Sequence, residues 1–286
     1  MSAVVAADGP PPIAATTAAR LLSLIVALAA FVIAFGLARR VAQRFELRLG
    51  RDIPVYFQRI LCAGLGVKVR RHGNMTSSPK RLIVANHVSW LDIPVLGSLG
   101  PMSFLAKKEI GDHPFGRELV AMQGAVYVDR RRRSAIPAVN ARIVEAMRAG
   151  AAVVLFPEAT TGDGNRLLRF RSSHFEAVRL AACSDDDGAA VIQPIYIDYS
   201  RIAGLPVARW QRPRIAWYGD MAFLPHFLRY SRCGGVTCDV YCGQPIRILP
   251  DSDRKTAARL AEAAVRELAS RARSGRKAIL PAGECA

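Results

Sequence analysis

Hydrophobic and polar positions change their rhythm three times along the chain. Between Arg20 and Arg39 lie 18 residues, LLSLIVALAAFVIAFGLA, without a charge; as a helix rising ~1.5 Å per residue they extend ~27 Å. From about Val41 to Val69 the pattern becomes amphipathic and basic, which predicts a helix lying along an interface. After the turn-like HGNMTSSPK, short β-branched runs recur: LIVA at 82–85, SFLA at 103–106, AVYV at 125–128, AVVLF at 152–156, VIQPIYI at 191–197, RIAWY at 214–218 and VTCDVYC at 236–242. Helical patterns separate several of them, among them AIPAVNARIVEAMRAG, which closes on Gly150 as a helix C-terminus should. The alternation predicts an α/β fold with a mixed central sheet flanked by helices. Pro194, inside a strand run, predicts an edge position or a bulge. A last helix over 254–273 puts Ala257, Leu260, Ala261, Ala264 and Leu268 on one face. The Ala- and Pro-rich residues 1–19 and the stretch after Ser274 read as loose tails, and no internal repeat is visible.

Charge narrows the picture. Forty Lys and Arg against 23 Asp and Glu give +17, and a 51% hydrophobic fraction excludes a disordered basic tail. A folded cationic protein of this kind takes an anionic partner: nucleic acid, an anionic membrane surface or a phosphorylated small substrate. The uncharged run is just long enough to span a ~30 Å hydrocarbon core. Arg39, Arg40, Arg44, Arg48 and Arg51 follow it, whereas residues 1–19 hold no Lys or Arg, so the positive-inside rule puts the rest of the chain in the cytoplasm, with the body on the cytoplasmic face of the membrane. A cleaved signal peptide and a buried core helix are the rival readings; the first lacks a basic n-region and a small-residue cleavage site. Spanning the bilayer and resting in one leaflet stay open. The six cysteines, Cys62, Cys183, Cys233, Cys238, Cys242 and Cys285, form no CxxC pair, so they read as reduced and mostly buried thiols rather than as a zinc site.

Four clusters carry chemistry. Directly after LIVA come Asn86, His87, Val88, Ser89, Trp90, Leu91 and Asp92. A lone His beside a strand is usually structural, but the C-terminal end of a strand in an α/β sheet is where ligands bind. On one regular helix His87 and Asp92 would stand ~140° apart, so they meet only if His87 occupies the turn before a helix and Asp92 its start. Asp92 would then fix one imidazole nitrogen while the other takes a proton from a hydroxyl, a general base with no enzyme nucleophile. Ser89 reads as a helix cap. The second cluster, GAVYVDR, ends a strand on Arg130, held in place in contrast to the solvated Arg131, Arg132 and Arg133. The third, FPEATTGDGN, sets Glu158 and adjacent hydroxyls before a Gly-rich exit, which is an ordinary turn or a set of polar contacts to substrate. The fourth is VIQPIY around Pro194. No GxSxG, HExxH, Walker loop or GxGxxG accompanies them.

In this order, from about Lys80 to Tyr199, the clusters resemble the four motifs of the 1-acylglycerol-3-phosphate acyltransferase family of glycerolipid acyltransferases. The resemblance implies His87 as base and Asp92 as its orienter in NHVSWLD, Arg130 as the residue that recognises the glycerolipid phosphate, and Glu158 and Thr160 in acceptor binding. It further implies Pro194 on the acyl side of the pocket and Lys107, in FLAKKEI, near the phosphate. Ala159 departs from it, since the family usually has Gly there; if that Gly supplies φ > 0, Ala bears a steric penalty of ~1 to 2 kcal/mol. The stretch after Tyr199 resembles the bacterial branch that includes lyso-ornithine lipid acyltransferases.

The implied organisation is a flexible tail (1–19), a membrane anchor with an interfacial basic helix (20–60), an acyltransferase domain (61–250) and a C-terminal helix and tail (251–286). The implied reaction moves a fatty acyl group from acyl-CoA or acyl carrier protein to a lysolipid hydroxyl, with no bound cofactor and no metal. Lysophosphatidate is the expected acceptor, because Arg130 and Lys107 suit a doubly charged phosphate; lyso-ornithine lipid is the alternative. The different-class reading is a basic membrane- or nucleic-acid-binding module, against which the missing nucleic-acid motifs count. Nucleic acid is therefore not an expected partner.

Overall fold

In this computed structural model the described residues are 15–45, 52–107, 126–128, 133–183 and 189–274. Their strands form one sheet in the order β1 (Val67–His72), β8 (Val236–Cys242), β6 (Ala190–Ile202), β2 (Arg81–Ala85), β5 (Ala152–Leu155), β3 (Met102–Lys107) and β4 (Val126–Val128). The short β7 (Leu205–Pro206) and β9 (Ile246–Ile248) pair with β6 outside that path. β2, β5, β3, β4 and β6 run parallel to their neighbours in that half, while β8 is antiparallel to β6, so the sheet is mixed. β5 is buried along its whole length, as the continuous apolar run AVVL requires of a central parallel strand.

Two apolar layers cover the two faces. Ile83 and Ala85 of β2 point into a core shared with α2 (Ile53–Leu65), α3 (Asp92–Gly97) and Tyr230 of α6 (Phe223–Ser231). Leu82 and Val84 point into the opposite core with α4 (Ile136–Arg148), α5 (Glu176–Ala182) and α7 (Arg254–Arg273). The ends of these helices follow from local chemistry. Pro137 opens α4 and Gly150, at φ 79°, follows its end. The Asp253 carboxylate caps α7 by accepting from Thr256 N at 2.9 Å.

Several expectations need correction. The amphipathic stretch after Val41 is two helices and a strand. α1 (Ala15–Arg44) ends, α2 starts at Ile53 with Pro54 in its first turn, and Gly66 at φ 71° stops it before β1. The apolar face of α2, with Val55, Phe57, Cys62 and Leu65, is buried in the protein and the helix packs against α3, while Tyr56 and Ile60 are exposed. RIAWY is not a strand: a 3₁₀ helix (Arg209–Arg214) runs into it, and the backbone at Ile215 and Trp217 bonds to the turn after β2. Leu260 is 49% exposed, because Ala258, Val265 and Ala269 join Ala257, Ala261 and Leu268 on the buried face of α7.

Pro194 sits in β6, an interior strand, and not at an edge or bulge. Val191 N donates to Lys80 O and Ile197 N to the Asn86 side chain, so odd-numbered amides of this stretch face β2. The missing amide of Pro194 therefore faces the other side, where pairing passes from β9, which ends opposite Ile192, to β8, which begins opposite Ile195. No ladder bond is lost there.

Helix α1 contains the uncharged run. Phe31 and Phe35 pack on Phe57, with the Phe31 and Phe57 rings 5.3 Å apart, while Leu22, Ile25, Val26, Ile33, Leu37 and Val41 are exposed. Among the described residues no helix is long and apolar enough to cross a membrane.

Candidate active site

The parallel strands β2, β5, β3 and β4 end at one rim of the sheet, and the chain leaves β2 there through Asn86 and His87. Asn86 locks this exit to β6: its amide donates to Ile197 O at 3.0 Å and accepts from Ile197 N at 2.7 Å. The backbone then turns sharply enough for Asp92, at the start of α3, to reach back. Its Oδ2 accepts from His87 Nδ1 at 2.7 Å, from Val88 N at 2.7 Å and from Ser89 N at 2.9 Å. Its Oδ1 accepts from Tyr199 OH at 2.7 Å. Asp92 is fully buried, so four donors stand in for the water its carboxylate has lost.

His87 is held on every side but one. Its backbone N–H donates to Glu158 Oε2 at 3.1 Å, and its carbonyl accepts from Gly162 N at 2.8 Å. Its ring stacks on Phe156, with centroids 4.1 Å apart and planes 13° from parallel. Since Nδ1 is engaged with a carboxylate, it carries the proton and leaves Nε2 with a lone pair. Nε2 has no partner among the described residues, and the side chain keeps 15% exposure. The result is an oriented proton acceptor facing outward from a buried carboxylate.

Glu158 is 4% exposed and uses both oxygens on backbone amides, Oε2 on His87 N and Oε1 on Leu168 N at 3.1 Å. Burial pushes its carboxyl up to about 7, the neighbouring Asp92 charge adds to the shift, and the two amide bonds pull against it. In this geometry it clamps the loop after β5 to the turn after β2. Thr160 lies beside it, exposed. Ala159 has φ 61°, the left-handed conformation that Gly adopts without strain.

Lys107 is the last residue of β3, at the same rim as His87; its side chain lies outside the described residues, as does the whole of Arg130, two residues beyond β4. Pro194 is one turn of the pleat below the rim, paired with Val84 and accepting from Gly243 N at 2.9 Å. His87, Asp92 and Glu158 are thus brought together, while Pro194 stays within the sheet. Ser89 does not cap α3. Its hydroxyl donates to Ile215 O at 2.8 Å and, with Trp217 N on Val88 O at 3.0 Å, ties the 215–217 segment to the turn.

Two contributors escape sequence reasoning. Tyr199 is one, although it continues the alternation Ile195, Ile197, Tyr199 that faces the His87 side, and a buried phenol needs a partner. Phe156 is the other; no spacing rule predicts that its ring would lie flat on an imidazole.

With the geometry in hand, comparison with known proteins is informative. Residues 66–198 match the sequence profile of the Acyltransferase family. The chain is 36% identical over 227 residues to a lyso-ornithine lipid O-acyltransferase of Brucella abortus, covering 79% of this chain and 85% of that one. It is 34% identical over 139 residues to a 1-acyl-sn-glycerol-3-phosphate acyltransferase of Neisseria gonorrhoeae, covering 46% and 53%. The crystal structure of a 1-acyl-sn-glycerophosphate acyltransferase from Thermotoga maritima superposes with a TM-score of 0.54 at 18% identity, over 87% of this chain and 98% of that one, a likeness of fold.

Proposed function

Because this chain belongs to the Acyltransferase family and is an enzyme that transfers acyl groups, we propose that it acylates the free hydroxyl of a lyso-ornithine lipid, with His87 as general base. The observation that carries the mechanism is Nε2 of His87, without a partner among the described residues, while Nδ1 is fixed on buried Asp92. The acceptor O–H gives its proton to Nε2 as its oxygen attacks the thioester carbonyl. Asp92 stabilises the imidazolium that forms. Collapse of the tetrahedral adduct breaks the C–S bond, and the proton passes from Nε2 to the departing sulfur. An ester and a free thiol result, and no metal or bound cofactor enters the balance.

The donor is acyl-CoA or acyl carrier protein. Glu158 holds the base in place through its backbone; the family resemblance would give Thr160, Lys107 and Arg130 to the acceptor, whereas Pro194 is buried in β6. The preference for lyso-ornithine lipid rests on the extent of similarity. The relatives of that name run along most of the chain, including the segment after Tyr199, whereas similarity to the Neisseria enzyme covers 46% of it. Lysophosphatidate is the second reading, favoured by Lys107, which ends β3, and by Arg130, which comes two residues after β4 in the sequence. α1 would serve as the membrane anchor, with the body on the cytoplasmic side, since its exposed apolar side chains have no cover among the described residues and cations follow the run.

The test is competition. Purified full-length protein receives both lysolipids at equal concentration with one labelled acyl thioester, and product ratios give the specificity constants. Preferential acylation of lyso-ornithine lipid is expected. Preference for lysophosphatidate overturns the acceptor and leaves the base intact; turnover of neither by folded protein overturns the reaction.

A further inference from the structure

The segment between β6 and β8 combines cations with exposed apolar side chains. Residues 201–232 hold six Arg and one carboxylate, Asp220. Arg212 is committed to Asp198 at 3.2 Å and to Gly164 O. Arg214, Arg229 and Arg232 make no ion pair among the described residues, and together with Trp210, Pro213 and Cys233 they wall a hollow of about 500 Å³. The same segment carries exposed large apolar side chains: Leu205 and Trp210 are each 71% exposed, Leu224 63% and Phe223 49%, the last also packed on Trp90, Trp217 and Phe227. The Arg214 guanidinium lies 5.5 Å from the Trp210 ring centroid, so cation and indole form one unit.

The segment's location follows from topology. β6 runs parallel to β2 and continues from Ile197, level with Asn86, to Ile202. Five further strand residues carry the chain ~16 Å beyond the exit of β2. The hairpin bearing Leu205 therefore stands forward of the rim where His87 lies, and Ala203 N on Gly235 O keeps it beside Cys233 and the hollow. Ile215 and Trp217 connect the same segment directly to Val88 and Ser89.

We propose that this surface is a second membrane contact, distinct from α1: Leu205, Trp210, Phe223 and Leu224 enter the headgroup region of an anionic bilayer while Arg214, Arg229 and Arg232 take up lipid phosphates. Guanidiniums without carboxylate partners match phosphate oxygens, and an indole beside exposed leucines matches the interface rather than water. An acidic protein surface is the competing occupant, since interfaces between proteins also bury Trp and Arg, and the experiment below separates the two. The proposal goes beyond acyl transfer and does not depend on which lysolipid is the acceptor.

Trp210 is a built-in probe, because the chain's other tryptophans, Trp90 and Trp217, are half-buried and α1 contains none. Full-length protein is added to vesicles of phosphatidylglycerol and phosphatidylcholine, and the emission lost in Trp210→Phe is taken as the Trp210 signal. On binding, that signal should shift to the blue, become several-fold less quenched by iodide, and be quenched by phospholipids brominated near the glycerol. Pure phosphatidylcholine should give a smaller shift. Replacing Arg214, Arg229 and Arg232 together by Ser should remove the difference between the two vesicle types, with circular dichroism confirming the fold; should that variant not fold, the Trp210 signal in the native arginine background still decides. Iodide quenching of Trp210 that is unchanged on vesicles overturns the proposal. So does shielding by soluble acyl carrier protein but not by vesicles, which would assign the surface to a protein. Neither result bears on the role of His87, since no turnover is measured.

Discussion

Asp92→Asn separates charge from scaffold. Asp92 Oδ2 gathers three donors, and Oδ1 receives the Tyr199 hydroxyl. Asparagine is the same shape. Its carbonyl oxygen can take the Oδ2 place and keep His87, Val88 and Ser89, while its amide faces a hydroxyl that can turn and accept. Asp92→Ala, in contrast, would leave two amides and a phenol buried without acceptors at ~1 to 3 kcal/mol each, confounding activity with folding. The Asn variant thus loses mainly the negative charge opposite an imidazolium that exists only once the acceptor proton has moved. At ~4 Å between charge centres and an effective dielectric of ~20, that attraction is about 4 kcal/mol, and the weaker neutral hydrogen bond that replaces it recovers about 1. A net ~3 kcal/mol predicts a kcat lower by ~10² with little change in KM. Release of free thiol from the donor, followed continuously alongside circular dichroism, measures both. A folded variant within threefold of the wild-type kcat would refute the assignment of His87 as a base that Asp92 supports.

Three further outcomes follow from the same site. Tyr199→Phe removes the donor on Asp92 Oδ1 and leaves that buried oxygen without a partner, so kcat should fall by ~10-fold with KM nearly constant, checked by the same thiol assay. Glu158, with its carboxyl raised from 4.5 to about 7, favours the protonated native state, so its contribution to stability is complete below pH 4.5 and is lost as pH rises through 7. The loss amounts to about 3 kcal/mol; urea denaturation at pH 5 and 8 should show it in the wild type and not in Glu158→Gln, whose amide also opposes one backbone N–H and should reduce kcat. Ala159→Gly relieves a φ of 61° and should raise stability by up to ~1 kcal/mol in the same denaturation series, with full activity retained.

What the sequence made legible was whatever local chemistry decides. The alternation of VTCDVYC reproduces β8 residue for residue, and α7 begins and ends where its pattern does. The meeting of His87 and Asp92 could be argued from spacing, because only one arrangement of turn and helix brings them together. What stayed hidden was decided by partners distant in sequence. Pro194 is tolerated in an interior strand because β9 gives way to β8 beside it, and both strands come from far along the chain. RIAWY has the composition of a strand, but its backbone groups are claimed by Val88 and Ser89. Glu158 has the sequence context of a substrate contact, yet both its oxygens are taken by amides of Leu168 and of His87, 71 residues before it.

That last arrangement changes how the third cluster acts. An acidic side chain on a flexible, Gly-rich loop would ordinarily be mobile, yet here the loop grips the His87 backbone on both sides of its Cα, through Glu158 on the N–H and Gly162 on the carbonyl. Phe156, from the same stretch, lies flat against the ring. The imidazole is therefore positioned by two segments: Asp92 sets its tautomer from within its own turn, and residues 156–162 set its height and tilt from the neighbouring strand. A general base gains only if its lone pair waits where the proton will leave, since displacement of about 1 Å can cost ~10² in rate. A shift of the 156–162 loop would reach the His87 backbone directly, through the hydrogen bonds of 2.8 and 3.1 Å that Gly162 and Glu158 make with it.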